Sequence, residues 1–143
     1  MYFKNFSLIL LALLIVTLSG CKKDDNPVAP SENDLVGTWV LTQIYLTSLG
    51  NMPVNPAEYG ISGSFVLRSD KTFTVTFTFP DSEGPEVETG TWSAANGKIT
   101  LKSSMGESDE LPYTLSGDKL NVETIIELPV LGEQPAKLEF TKQ

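Results

Sequence analysis

The chain has 143 residues, with 10 Lys+Arg against 18 Asp+Glu, no His and one Cys. A net charge of −8 repels nucleic-acid phosphate and disfavours a nucleic-acid partner. Without His, and with a single Cys, the usual zinc sites, Ser-His-Asp triads, Cys-His dyads and any internal disulfide are excluded.

Residues 1–20 have the layout of a secretory signal peptide. Lys4 supplies the positive start, Phe6 to Leu18 is an almost unbroken apolar run, and the small residues Ser19 and Gly20 precede Cys21. The run is about 13 residues, short of the roughly 20 that a membrane-spanning helix needs. The segment Leu18-Ser19-Gly20-Cys21 resembles the lipobox of bacterial lipoproteins. That resemblance implies a diacylglycerol thioether on the Cys21 thiol, cleavage before Cys21 and acylation of the new amine. Two or three acyl chains, palmitate-like in length, anchor stably where one would bind only marginally. The expected partner at this end is therefore a membrane, and the mature chain starts at Cys21.

Residues 22–34 are polar, hold Pro27 and Pro30, and show no apolar periodicity. With Cys21 they read as a lipidated, flexible tether (residues 21–34). Thirteen residues reach at most about 43 Å at ~3.3 Å each. Lys22 follows Cys21 where an Asp would resemble the inner-membrane retention signal, so the outer membrane is the expected location. Cys21-Lys22-Lys23-Asp24-Asp25 also resembles the surface-export signal of some two-membrane bacteria.

Residues 35–143 alternate like β-strands. Thr72 to Phe79 alternates Thr with Phe or Val for eight residues, the pattern of a strand with one wet face. Phe73, Val75, Phe77 and Phe79 point to the core. The other expected strands are Leu35 to Leu46, Ser64 to Arg68, Val87 to Ser93, Lys98 to Ser103, Leu111 to Leu115, Leu120 to Glu127 and Ala136 to Thr141. Asn96-Gly97 is a strong tight-turn signal, Gly117-Asp118 a second, and Ser69-Asp70-Lys71 a weaker third. Eight such strands predict an all-β fold, an antiparallel up-and-down barrel that removes sheet edges. An open sandwich is the alternative. At ~4.8 Å per strand and a tilt of roughly 40°, the barrel diameter is near 16 Å, room for packed side chains or one small ligand.

Gly37-Thr38-Trp39 opens the first strand, and Gly90-Thr91-Trp92 recurs in the fourth, followed by Asn96-Gly97-Lys98-Ile99. This combination resembles the bacterial lipocalin-like domain carried by small lipoproteins. In lipocalins the first-strand Trp plugs the closed end and an Arg of the last strand crosses it. Trp39 matches the plug. The last strand offers Lys137 and Lys142, the only Arg is Arg68, and the Thr-Asp-Tyr motif of the central lipocalins is absent.

The resemblance implies non-covalent binding of a small apolar or amphipathic ligand, with no enzyme activity and no cofactor. Phe65, Phe73, Phe77, Tyr113 and Phe140 are the inward aromatics expected to line a pocket, and all five fit a packed core equally. The connection Thr47 to Ser62 is the longest, as lids often are. Met52 and Tyr59 are its candidate ligand contacts. Tyr45 is a further candidate hydrogen-bond donor. The acidic clusters Asp81 to Glu88 and Glu107 to Glu110 lack calcium-loop spacing and read as solvated loops, so no metal is expected. The apolar stretch Leu128 to Pro135 reads as an extension of the seventh strand. The alternative function is a ligand-free interaction or inhibitor module of the cell envelope. Large-to-small substitution separates the two, because a packed core loses stability where a ligand cavity loses affinity.

Overall fold

The computed structural model describes residues 30–128 and 131–143. The expected signal peptide, the expected lipidation site Cys21 and most of the expected tether lie outside the described residues, as do Pro129 and Val130.

A helical turn, α1 (Glu32–Leu35), precedes nine strands. These are β1 (Gly37–Leu46), β2 (Met52–Val54), β3 (Ser62–Leu67), β4 (Thr72–Thr78), β5 (Glu86–Ala95), β6 (Lys98–Ser103), β7 (Ser108–Ser116), β8 (Lys119–Leu128) and β9 (Gly132–Lys142). Every pairing is antiparallel, and β3 to β9 follow one another in sequence order. β1 pairs with β3 through Gly37–Val40 and with β9 through Trp39–Leu46, which closes eight strands into a barrel. The ninth, β2, is a short ribbon on the far end of β1, with Val54 opposite Ile44. The open sandwich is thereby excluded.

The alternation predicted for Thr72 to Phe79 is observed. Phe73 is 1% exposed, and Val75, Phe77 and Phe79 pack against the core. β1 alternates with a break. Trp39 and Leu41 are buried, then Ile44 and Leu46, because the register with β9 shifts between Leu41 and Gln43. Such a bulge adds one residue and flips which parity faces inward. It keeps four apolar side chains of β1 in the core.

The described fold starts before Leu35. Ser31 and Asp34, read as tether, form a reciprocal capping box in which the Asp34 carboxylate accepts from Ser31 N at 2.9 Å and Ser31 Oγ at 2.7 Å. Leu35 is fully buried behind it. The hairpin signals hold. Asn96 and Gly97 both take positive φ between β5 and β6, as a tight hairpin turn requires. Of the apolar stretch expected to extend the seventh strand, only Leu128 does so, and it is buried; Gly132–Pro135 instead turn back and begin β9, while Pro129 and Val130 lie outside the described residues. The cluster Glu107 to Glu110 is not all loop, since Ser108–Glu110 begin β7.

The two ends of the barrel differ. α1, the turns at 68–71, 96–97 and 117–118, and the end of β9 lie at one end. The longer connections at 47–61, 79–85 and 104–107 lie at the other.

Candidate ligand-binding site

The first end is filled. Trp39 is fully buried, and its Nε1 donates to the Leu35 carbonyl at 2.8 Å. Lys142 Nζ sits 5.0 Å from the centre of its ring and donates to the Asp34 carbonyl at 3.0 Å. A lysine of the last strand, not an arginine, thus crosses the first-strand tryptophan. A cation over an indole face is favourable. The second Gly-Thr-Trp repeats the arrangement. Trp92 Nε1 donates to the Arg68 carbonyl at 2.9 Å, and Lys71 Nζ lies 4.7 Å from its ring centre. Lys71 also pairs with Glu32 of α1, whose other carboxylate oxygen accepts from Ala94 N at 2.9 Å. The Lys71 hydrogen bond, then that from Ala94, holds the Glu32 carboxyl below its ordinary range. Gly90 is required here by close approach. A Cβ would stand 2.0 Å from the Lys102 carbonyl oxygen and 2.9 Å from the Phe73 ring.

The second end holds a cavity of about 1010 Å³ that opens to solvent. Its apolar wall comes from β1 (Ile44), the connection before β3 (Ile61), β4 and its exit (Val75, Phe77, Phe79), β8 (Ile126, Leu128) and β9 (Leu138). Gly63 lies opposite Phe77, and a Cβ there would come within 2.6 Å of the Phe77 ring, so the missing side chain lets that ring lie flat against β3. Phe77 in turn stacks with Phe79 at 6.0 Å between ring centres. From β5 to the residue before β7 the lining carries Glu86, Glu88, Ser103 and Glu107 together with Val87 and Met105, and Asp81 after β4 and Glu127 on β8 add two more carboxylates.

Of the predicted ligand contacts, Phe77 alone lines this cavity. Phe65 and Phe140 pack on each other at 6.1 Å, both buried in the filled half. Phe73 is buried beside Gly90 and borders only a shallow depression between β4 and β6. Tyr113 is partly buried on β7, where burial, then the carboxylates of Glu32 and Asp34, push its phenol above the usual tyrosine range. Those two carboxylates place it at the filled end. Met52 and Tyr59 are 43% and 60% exposed and do not line the cavity. From the connection they belong to, Ile61 is the residue that does. That connection is itself built, from two 3-10 turns around β2, and Asn55 caps the second by accepting from Ala57 N at 3.2 Å. Tyr45 faces out, with Lys137 Nζ 4.4 Å from its ring centre.

The sequence reading did not find Ile44, Ile61, Ile126 or the lining carboxylates. Glu86 and Glu88 were grouped with a solvated loop, yet they sit on β5 directly opposite Phe77 and Val75. Opposed residues share a face of the sheet, so both carboxylates stand on the cavity side. The signal available in sequence was the strict two-residue step from Trp92 back through Gly90 to Glu88 and Glu86. Among the described residues no group of three or more His, Cys, Asp or Glu side chains is placed to hold a metal ion. The arrangement is that of a container lined by both apolar side chains and carboxylates.

A family model described as a lipocalin-like domain matches residues 35–122, more than half of the chain, from α1 into β8. No curated protein matches the chain.

Proposed function

This chain belongs to the lipocalin-like domain family, and we propose that it is a lipoprotein of the bacterial outer membrane, anchored by acyl chains on Cys21, whose barrel binds a small apolar or amphipathic ligand. The observation that carries the binding reading is the cavity of about 1010 Å³ at one end of a barrel whose other end is packed. Volumes of this order suit one small molecule. A ligand that removes about 250 Å² of apolar surface from water gains roughly 6 kcal/mol before the costs of immobilisation. The ligand-free interaction module needs no such volume, so the cavity favours the carrier. The anchoring reading rests on the lipobox, and the outer-face reading on Cys21-Lys22-Lys23-Asp24-Asp25. Binding is non-covalent, and no reaction step belongs to this reading.

Native mass spectrometry of the protein purified from its membrane in a volatile detergent tests both parts. An added mass that solvent extraction recovers as one compound class is the expected result. A clean apo mass that persists after incubation with envelope lipids overturns the carrier reading. An N-terminal peptide that begins at unmodified Cys21, or runs on from residue 1, overturns the anchor.

A further inference from the structure

We propose that the cavity selects ligands that carry a positive charge, an organic amine or quaternary ammonium with an apolar tail. This rests on the carrier reading above and names the chemistry of its ligand. Three observations point the same way. First, five carboxylates line the cavity (Asp81, Glu86, Glu88, Glu107 and Glu127), and among the described residues no Lys or Arg does. Second, those five have no ion-pair partner among the described residues, whereas Lys71, Lys98 and Lys119 pair with Glu32, Glu110 and Glu139 elsewhere on the barrel.

Third, β5 carries charge at inward positions in its open half. Inward positions of a barrel are ordinarily apolar, as Phe73, Val75 and Phe77 are on β4. β5 keeps that rule at Trp92, which is buried, then breaks it toward the mouth. Glu86 and Glu88 share the inward face with Phe77 and Val75 and are exposed at the mouth, which Val87 between them, 59% exposed, also borders. Two like charges two residues apart on one face repel each other. A stable barrel gains nothing from that placement, but a cation between them and Glu107 removes the repulsion.

The apolar lining supplies the other half of the recognition. Ile126 and Leu138, on β8 and β9, lie on strands remote from β5, and Phe77 on β4 pairs directly with Glu86. An apolar tail lies against them while its ammonium head meets Glu86 and Glu88. An anionic amphiphile of the same length places its head against the same carboxylates and is rejected.

The test uses the full chain in nanodiscs of neutral phosphatidylcholine, with empty nanodiscs as the partition control. Calorimetric titrations compare three probes of one chain length: octyltrimethylammonium, octanol and octanoate. The ammonium is expected to bind about tenfold or more tighter than octanoate, with a preference that shrinks as salt is raised. The double variant Glu86→Gln, Glu88→Gln keeps size and exposure, and should retain octanol binding while losing most of that preference. Equal binding of octanoate and the ammonium, or a preference that survives in the double variant, overturns the inference while leaving the carrier reading intact. Failure of all three probes, octanol included, overturns both.

Discussion

Phe73 and Phe77 lie four residues apart on one face of β4, one in the filled half of the barrel and one on the cavity wall. The same truncation at the two sites should therefore have different costs. Phe73 is 1% exposed, with its ring over Gly90. Phe73→Ala loses the full transfer free energy of the ring and leaves a new void, about 3–5 kcal/mol in all. Phe77 is only partly buried and already borders open volume. Phe77→Ala enlarges an existing space, so the void contribution is small and a partial transfer loss of about 1–2 kcal/mol remains. With a urea slope near ~1.5 kcal/mol/M, the midpoint should fall by roughly 2–3 M for Phe73→Ala and about 1 M for Phe77→Ala. Trp39 and Trp92, both in the filled half, report the transition by fluorescence. Ligand affinity should move the other way, with Phe77→Ala weakening binding and Phe73→Ala leaving the affinity of the folded fraction unchanged. Equal midpoint losses, or a larger loss at Phe77, would refute the division of the barrel into a filled and an open half.

Gly63→Ala should push the Phe77 ring into the cavity, because the new methyl meets a side chain and not backbone. Stability should change by less than about 1 kcal/mol, while the largest ligand accommodated becomes smaller, as a series of graded chain length would show. Gly90→Ala meets a carbonyl oxygen instead, so β5 and β6 must separate; a loss of about 3 kcal/mol or more is expected in urea, and a wild-type midpoint would contradict the 2.0 Å approach. Glu32 has a depressed carboxyl in the folded chain, so its contribution is complete above the unfolded Glu value of about 4.3 and lost as pH falls through the folded value. Glu32→Gln should accordingly flatten the acid limb of the melting-temperature profile between roughly pH 5 and 3, and an unchanged limb would show the Lys71 and Ala94 contacts to be inconsequential.

Strand existence was legible wherever alternation was strict. Thr72 to Phe79 has one residue per face at every step, so its inward set follows directly from spacing. β1 was legible as a strand but not in phase, because the bulge at Thr42 appears only when β9 provides a register to slip against. Ser31 to Asp34 was read as tether because a capping box of polar residues has the composition of a linker; its order comes from Leu35, Lys71 and Lys142, which are distant in sequence or hidden by type. The aromatics show the limit for the site. Phe65, Phe73, Phe77 and Phe140 are equivalent by pattern, all inward on strands. Whether a ring meets another ring or open volume depends on its height along the barrel axis, which strand stagger sets. Phe65 and Phe140 meet each other; Phe77 meets the cavity. The lining carboxylates were hidden for a related reason: an inward Glu near a mouth and a solvated loop Glu look alike until the strand's extent is known.

The N-terminal turn is fastened to the filled end at several points: Trp39 and Lys142 hold the Leu35 and Asp34 carbonyls, and Glu32 joins Lys71 and the β5 backbone. It works as a strain relief on a cable. Any pull transmitted along the leading peptide is borne by the base of the barrel and spread into β1, β5 and β9, and the walls around the mouth are spared distortion. The described chain also begins at the pole opposite the opening. Under the anchored reading proposed above, the point of attachment would therefore lie at the pole remote from the opening, leaving the mouth clear of the attachment.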